Sequence, residues 1–491
     1  MLRPVVESIE PFGLTLLVVG IAMSVALLSN RISSRLRIPA PAIFLVGAAA
    51  ASDLFPALGG LSVDVVEKVV TVALIMILFD GGMGIGVRKL RVAVTPILVV
   101  GVVGTLLTAA AMAVLAHLLF GVPWSLALLL GTALAPTDPA VVFSVLGNRE
   151  VRGRAGVIIE GESGANDPVG IALLVSLLAL GGDLHVGAIG AVAGTFAVQM
   201  VVGAAVGVGG GWLMLQAIRR LPLPSEGLYP LRTLAISVML YGLATAAGGS
   251  GFLAVFIAGI LLGDARAPFK REIERFHSSL AGLAEIVAFV VLGLTVSLSD
   301  VVRSGTLWVG FVLAVLLAFV VRPLLVGPLL LAVRLTVGER VFVLWSGLKG
   351  AVPILLGTYI LAGGNSSDRL AYDVIFVVVA FSVVVQGGLV PTVAARCKVR
   401  MDEVEPRPFA MGIRLRDEPE SAREYRVGPG AAAEGRTVAQ LHRSENVWIS
   451  VLVRDGVPVH LTGDTVLEAG DEVLLLAEPP AEPGPLFSSP H

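Results

Sequence analysis

The chain has 491 residues, of which 56% are hydrophobic and only 15% charged, with a mean hydropathy of +0.89. Soluble domains carry about 25% charged residues, so this composition excludes an ordinary soluble protein. The net charge of −2 leaves no basic field for nucleic acid, and a single cysteine, Cys397, excludes an internal disulfide and a thiolate metal cluster.

Thirteen apolar segments recur at roughly 13–30, 38–56, 66–87, 92–120, 123–147, 155–181, 186–217, 230–247, 250–264, 278–298, 305–327, 341–363 and 371–395. Runs of about 20 residues read as membrane-spanning helices, not as the alternating strands of a barrel. The first segment lacks the short hydrophobic core and small-residue cleavage site of a signal peptide, so it reads as a span. Basic residues test the count. They cluster in every second loop, as in Arg88/Lys89/Arg91, Arg149/Arg152/Arg154 and Arg396/Lys398/Arg400, whereas the opposite side has only Arg3, Lys68, Arg303 and Arg369. Basic loops stay cytoplasmic, which puts the N-terminus outside and the C-terminus inside.

Four regions follow: a membrane domain over 1–400, a charged and proline-rich linker over 401–423, a small cytoplasmic domain over 424–480, and a disordered tail over 481–491. Short alternating runs in the third region, with Asp455-Gly456 as a hairpin turn, predict strands.

Polar residues inside the apolar segments carry the functional reading, because ionisable groups at membrane depth are expensive. The fifth segment contains Ala135-Pro136-Thr137-Asp138-Pro139, and the twelfth contains Gly347-Leu348-Lys349-Gly350-Ala351-Val352-Pro353. Proline removes a backbone donor and disfavours helix before it, so both helices are expected to break there. A break is tolerated only where it is buried in protein or lines a cavity. The two segments are seven apart, so they enter the membrane from opposite sides, as an inverted repeat of segments four to six and eleven to thirteen requires.

The sixth segment starts with Gly161-Glu162-Ser163-Gly164-Ala165-Asn166-Asp167-Pro168. Glu162 and Asn166, and Ser163 and Asp167, are each four apart and share adjacent helix faces. Asp167, Asp138, Thr137 and Ser163 could supply hard oxygen ligands to an alkali cation, and no His or Cys cluster suits a transition metal. Arg322 and Lys349 fall inside apolar segments and need partners in the same bundle, and Glu162 is expected to serve one of them. Blander roles stand beside these. Asp138 could start a helix, the Glu162–Asp167 group could cap one, and Arg322 and Lys349 could snorkel to an interface. Asp80 could cap a helix or bind an ion, and Glu285 reads as a satisfied or interfacial carboxylate. The six histidines show no spacing that suggests a role.

At these residues the chain resembles the monovalent cation/proton antiporter family, in its bacterial sodium or potassium/proton branch. Glu162-Ser163 with Asn166-Asp167 is similar to that family's signature on its sixth helix, and Thr137-Asp138-Pro139 and Gly347 to Pro353 to its two broken-helix motifs. Arg322-Pro323 and Phe79-Asp80-Gly81-Gly82 also match, so the resemblance covers about residues 10 to 398. It implies Asp167 as the essential ion- and proton-binding carboxylate, with Asp138 and Thr137 at the crossing and Ser163 adding an oxygen. Asn166 before Asp167 resembles the electroneutral branch. Relatives are homodimers in which a mobile core moves past a dimerisation domain. The chain departs from the pattern at Lys349, where that branch commonly has arginine, and at Glu285, where potassium/proton relatives usually have an amide.

The tail is similar to the C-terminal lobe of a potassium-transport regulatory domain, of TrkA-C/RCK-C type, through Gly435 to Leu441 and Gly463 to Asp471. No Gly-x-Gly-x-x-Gly unit precedes it, so no nucleotide-binding lobe is expected. Its ligand would be a small molecule.

The fold expected is an all-α polytopic membrane protein of about 13 transmembrane helices, with inverted repeats and two crossed discontinuous helices, plus a small α+β cytoplasmic domain. The function expected is exchange of potassium and/or sodium for protons across the bacterial inner membrane, without a cofactor, for pH and cation homeostasis. The partners expected are the lipid bilayer, a second copy of the chain, and the transported ions. No nucleophile–base pair suggests an enzyme. A gated cation channel would need a filter of carbonyls or side-chain rings, and a transport-dead membrane sensor would not need the Asp138, Glu162, Asn166, Asp167 group.

Overall fold

The computed structural model describes residues 39–55, 58, 60–146, 149–151, 153–181, 186–363, 366–403, 422–445, 447–454, 457–477 and 484–487. The first apolar segment, 13–30, lies outside these residues, as do most of the linker and the Asp455-Gly456 turn. The chain divides into two compact units, residues 1–410 and 411–491.

The first unit is helical. In order it contains α1 (Ala40–Leu54), α2 (Val63–Leu98), α3 (Gly104–Phe120), α4 (Trp124–Ala133), α5 (Pro139–Leu146), β1 (Arg149–Val151), α6 (Arg154–Leu178), α7 (Val186–Arg220), α8 (Leu228–Ala246), α9 (Gly251–Gly263) and α10 (Lys270–Leu294). Then come α11 (Leu298–Arg303), α12 (Thr306–Leu316), α13 (Arg322–Leu331), α14 (Val337–Trp345), α15 (Ala351–Leu361), α16 (Ser366–Phe381), α17 (Val390–Arg396) and β2 (Met401–Glu403). Each of the second to thirteenth apolar segments falls on one of these helices or on a consecutive pair. Helix α2 carries both the third segment and the head of the fourth, and it leaves helical geometry at Gly86 and Ala93, near the junction of the two. Among the described residues, seven helical stretches are long and apolar enough to cross a membrane, and four shorter apolar helices accompany them.

Local signals explain the starts. Ser62 Oγ accepts from Val65 N and Ser250 Oγ from Leu253 N, each capping the helix that follows. Thr336 and Glu339 form a capping box at the head of α14. Helices α2 and α9 pack almost backbone to backbone, because a Cβ at Gly82 would strike the Phe256 carbonyl and one at Gly259 the Phe79 carbonyl. Such small-residue seams suit association in lipid, where packing and not hydrophobicity drives contact.

Among the described residues, π-helical turns at Val99–Val103, Leu317–Val321 and Ser382–Gly387 interrupt the fourth, eleventh and thirteenth segments. The first packs on α6 and α13, the second on α3, and the third on α5. Turns of this kind recur where a helix must present side chains off its regular face.

The linker expected from residue 401 begins later. Met401–Glu403 pairs antiparallel with Arg149–Val151, since both stretches are extended and their backbone groups satisfy one another.

The second unit contains β3 (Ala422–Arg426), α18 (Val438–Glu445), β4 (Val447–Arg454), β5 (Val457–Pro458), β6 (Glu472–Ala477) and α19 (Gly484–Phe487). The strands form an antiparallel sheet in the order β3-β6-β4-β5. Val427, Leu441, Leu452, Leu467, Val473 and Leu475 form its core. The disordered tail expected over 481–491 is corrected at α19. Phe487 is buried in that core and stacks on Tyr425, and its carbonyl accepts from Gly428 N. Burying one aromatic ring fixes a stretch that proline content alone marks as loose.

Arg454 ties this unit together. Its Nε and Nη2 donate to the two oxygens of buried Asp471 at 2.8 and 2.9 Å, and Glu468 N donates to Oδ2 at 2.8 Å. Burial raises the Asp471 carboxyl, but the Arg454 and Glu468 hydrogen bonds outweigh it and hold the group below its ordinary value. A depressed folded value contributes stability above the unfolded value, about 3.9, and loses it as pH falls through the folded one. Hydrogen-exchange protection over Glu472–Ala477 is therefore expected to fall on acidification below about pH 4. Asp471→Asn should lower it already at pH 7, by about 1.5–3 kcal/mol of opening free energy.

Candidate functional site

The two expected breaks are present, and they meet. The fifth segment stops at Ala133 and resumes at Pro139, and the twelfth stops at Trp345 and resumes at Ala351. Asp138 N donates to Leu348 O at 2.8 Å, a backbone bond from one break to the other.

Each break leaves carbonyls without helical partners at one half-helix end and N–H groups at the other. Charged side chains from elsewhere satisfy them. Lys349 Nζ donates to Ala135 O and Pro136 O at 2.7 and 2.9 Å, at the C-terminal end of α4. Arg322 donates from Nε to Leu344 O at 2.8 Å and from Nη2 to Val343 O at 3.2 Å, at the C-terminal end of α14. At the other ends, Asp138 Oδ1 accepts from Ala140 N at 2.9 Å, and the Ala351 N–H also points at the Asp138 carboxylate. Cations thus sit at both C-terminal half-helix ends and one carboxylate serves both N-terminal ends, the arrangement that helix dipoles favour. Asp138 is a helix cap and a member of the crossing at once.

Gly350 makes this approach possible, because a Cβ there would overlap the Asp138 carboxylate. Gly350→Ala is expected to push the two half-helices apart at a stability cost of about 1–3 kcal/mol, read as a lower melting temperature of the purified protein.

Helix α6 runs beside the crossing. Ser163 Oγ donates to Thr137 O at 2.6 Å, Asn166 Oδ1 accepts from Thr137 N at 3.2 Å, and Asn166 Nδ2 donates to Thr137 Oγ1 at 2.7 Å. These bonds replace those that the break removes from Thr137. Glu162 forms a bidentate pair with Arg322 at 2.8 and 3.0 Å, with both side chains buried. Glu162 is therefore committed to Arg322, while Lys349 is held by freed carbonyls.

Asp167 differs from its neighbours. It is 7% exposed, yet its Oδ1 has no hydrogen-bond partner. The charged groups acting on it are Asp138 and Lys349. An orphaned carboxylate oxygen at this depth needs a proton or a cation, and the hard oxygens of Asp138, Thr137 and Ser163 are grouped around the same crossing.

The remaining candidates divide. Asp80 on α2 lies away from this group, where the charged residue acting on it is Glu274 of α10. Glu285, read above as satisfied or interfacial, has a buried Oε1 without a hydrogen-bond partner, and Asp138 is the charged group that acts on it. Its helix, α10, packs on α15. Ser382 and Gln386, to which the sequence reading gave no part, bind the second break directly. Their one signal is a pair of polar side chains in the apolar run from Phe381 to Gln386.

Comparison with known proteins agrees with this architecture. The family model described as sodium/hydrogen exchanger, transmembrane, matches residues 20–396, and the TrkA-C domain model matches residues 422–482. The K(+)/H(+) antiporter NhaP of Alkalimonas amylolytica is 34% identical over 80% of this chain and 68% of its own length. The K(+)/H(+) antiporter NhaP2 of Shewanella sp. (strain MR-4) is 32% identical over 96% of this chain and 82% of its own. Among solved structures, the sodium proton antiporter MjNhaP1 from Methanocaldococcus jannaschii shares the fold with a TM-score of 0.64, at 23% identity over 77% of this chain and 99% of that one. The chain belongs to the sodium/hydrogen exchanger family of multi-pass membrane antiporters, which exchange monovalent cations for protons, and it carries a TrkA-C domain at its C-terminus.

Proposed function

We propose that the protein exchanges potassium, sodium or both for protons at a single site centred on Asp167, by alternating access across a bacterial cytoplasmic membrane. The observation that carries this reading is the buried Oδ1 of Asp167, without a hydrogen-bond partner beside the crossing of two broken helices. Glu162 is matched by Arg322, and Lys349 offsets one of Asp138 and Asp167. With Glu285 keeping its proton throughout, one of Asp138 and Asp167 is left for either a proton or an alkali cation, so the two compete for it and the exchange is electroneutral. Asp138, Thr137 and Ser163 would supply further oxygens to the bound cation, while Asn166 holds Thr137 in place. Asp80 would act outside this ligand group. The relatives named as potassium/proton antiporters, together with the TrkA-C tail, favour potassium as the substrate.

The full architecture proposed is 13 spans, the N-terminus outside, the C-terminal domain cytoplasmic, and an inverted repeat of segments four to six and eleven to thirteen. The π turns in segments four and eleven, each packed near the other repeat, support that pairing. Helix α7 exposes Val198, Val201, Val208 and Trp212 along one side, a face suited to lipid and to a second copy in a homodimer. The tail would regulate exchange through a small ligand, in the service of pH and cation homeostasis.

Dequenching of a pH-sensitive dye in energised vesicles tests this. Potassium, sodium and lithium are added separately at about pH 6 to 9, with the full chain and with a truncation after Arg400. Dequenching by potassium, altered by truncation, is expected. Current without proton exchange would make the protein a channel, and no response to any cation would make it a sensor.

A further inference from the structure

The second break is held as firmly as the first, by side chains that the exchange reading leaves without a role. Lys349 N donates to Ser382 Oγ at 2.9 Å, and Ser382 Oγ donates to Gln386 Oε1 at 3.2 Å. Gln386 Nε2 donates to Trp345 O at 2.7 Å, and Trp345 Nε1 donates back to Gln386 O at 3.0 Å. The Gln386 amide accepts at its oxygen from Ser382 and donates from its nitrogen to Trp345 O, which fixes its orientation. Ser382 and Gln386 are buried, at 2% and 5% exposure. Both lie on the π turn Ser382–Gly387, whose wider winding keeps residues four apart facing the break.

The first break is treated the same way by the sixth segment. There Ser163 and Asn166 bind the carbonyl, amide and hydroxyl of Thr137. In each case a serine and a side-chain amide, on the last segment of a three-segment unit, replace the hydrogen bonds that the middle segment loses at its break. The chemistry that follows differs. The first pair fixes Thr137, a cation-ligand candidate. The second fixes the backbone of Lys349, whose Nζ then reaches Ala135 O and Pro136 O in the opposite break.

We propose that Ser382 and Gln386 are positioning residues, the counterparts of Ser163 and Asn166, which set the place of the Lys349 charge against the first break and thereby the affinity for the transported cation. The proposal rests on the exchange reading for its functional readout, but its geometry does not. Neither side chain touches the cation in this scheme. They act through Lys349, so their effect should vanish when Lys349 is gone.

The test compares wild type, S382A, S382T, K349A and S382A/K349A as full-length protein. Two quantities are measured: the apparent KM for potassium in proton exchange, and the potassium concentration that half-saturates thermal stabilisation in detergent, which needs no turnover. S382A is expected to raise both by about tenfold, the effect of leaving one buried amide N–H unpaired, with the maximal rate per folded molecule little changed. S382T keeps the hydroxyl and should stay within about twofold of wild type. In the K349A background, S382A should add less than about twofold, because residues that act through one another are not additive. Q386A provides the same reading if S382A does not fold. A purely structural role would lower the yield and rate while leaving both potassium constants unchanged, and would overturn the proposal. An undiminished tenfold effect in the K349A background would overturn it too. If wild type itself moves no protons, the exchange reading fails, and the thermal titration still decides the positioning role.

Discussion

Asp167→Asn is expected to abolish cation-driven proton exchange while leaving the protein folded. The substitution keeps the shape of the side chain and removes only its ability to carry a charge or a proton. Asp167 is buried with one carboxylate oxygen unpartnered and has Asp138 as a like-charged neighbour, so in the folded protein its charge is a cost that Lys349 offsets only in part. Removing that charge should leave the melting temperature unchanged or raise it. Exchange should fall to the background of vesicles without the protein. Stabilisation by potassium should disappear in parallel, whereas in wild type it should grow as pH rises, because the cation needs the carboxylate deprotonated. Dye dequenching and thermal unfolding on the same preparation check both halves. Robust exchange by a well-folded Asn variant would sink the single-site mechanism.

Much of this arrangement was legible in the sequence because proline and charge are rare in apolar runs. Pro136, Pro139 and Pro353 mark where helices cannot continue, and Asp138, Glu162, Asp167, Arg322 and Lys349 mark where charge had to be matched. Glu162 was expected to pair with Arg322 or Lys349, and it pairs with Arg322. The partner of Lys349 was not foreseeable, since a sequence invites the search for a carboxylate while the break supplies bare carbonyls instead. Ser382 and Gln386 were hidden for a related reason. Whether two polar residues in a span face lipid, a neighbour or a break depends on helix rotation, and the π turn changes that rotation locally. Glu285 shows the same limit in reverse. Its spacing fits an interfacial position, and only the packing of α10 on α15 places it under the influence of Asp138. In the tail the strand pattern was readable, but the docking of Phe487 was not, because one aromatic after several prolines carries no periodicity.

The largest stability effect is expected at Arg322. Its guanidinium makes two bonds to Glu162 and two to the Leu344 and Val343 carbonyls, all in the interior. Arg322→Leu removes all four and leaves Glu162 as a buried charge without its hydrogen-bonded counter-ion, with only the more weakly coupled Lys349 of opposite sign. Breaking a buried pair from one side costs about 3–5 kcal/mol, so thermal unfolding in detergent should move to markedly lower temperature, with exchange lost as folded protein is lost. Glu162→Gln with Arg322→Gln removes both charges together and should recover much of that loss. Recovery should stop short of wild type by about 1–3 kcal/mol, because the two α14 carbonyls then lack their charged donor. The double substitution also separates structure from transport. If Glu162 and Arg322 only match each other, the doubly substituted protein should still bind potassium at Asp167 once folded, with an affinity near that of wild type. A double variant that folds but no longer binds the cation would mean that the pair sets the potential at Asp167, and the charge balance proposed for the site would need Glu162 as an active member.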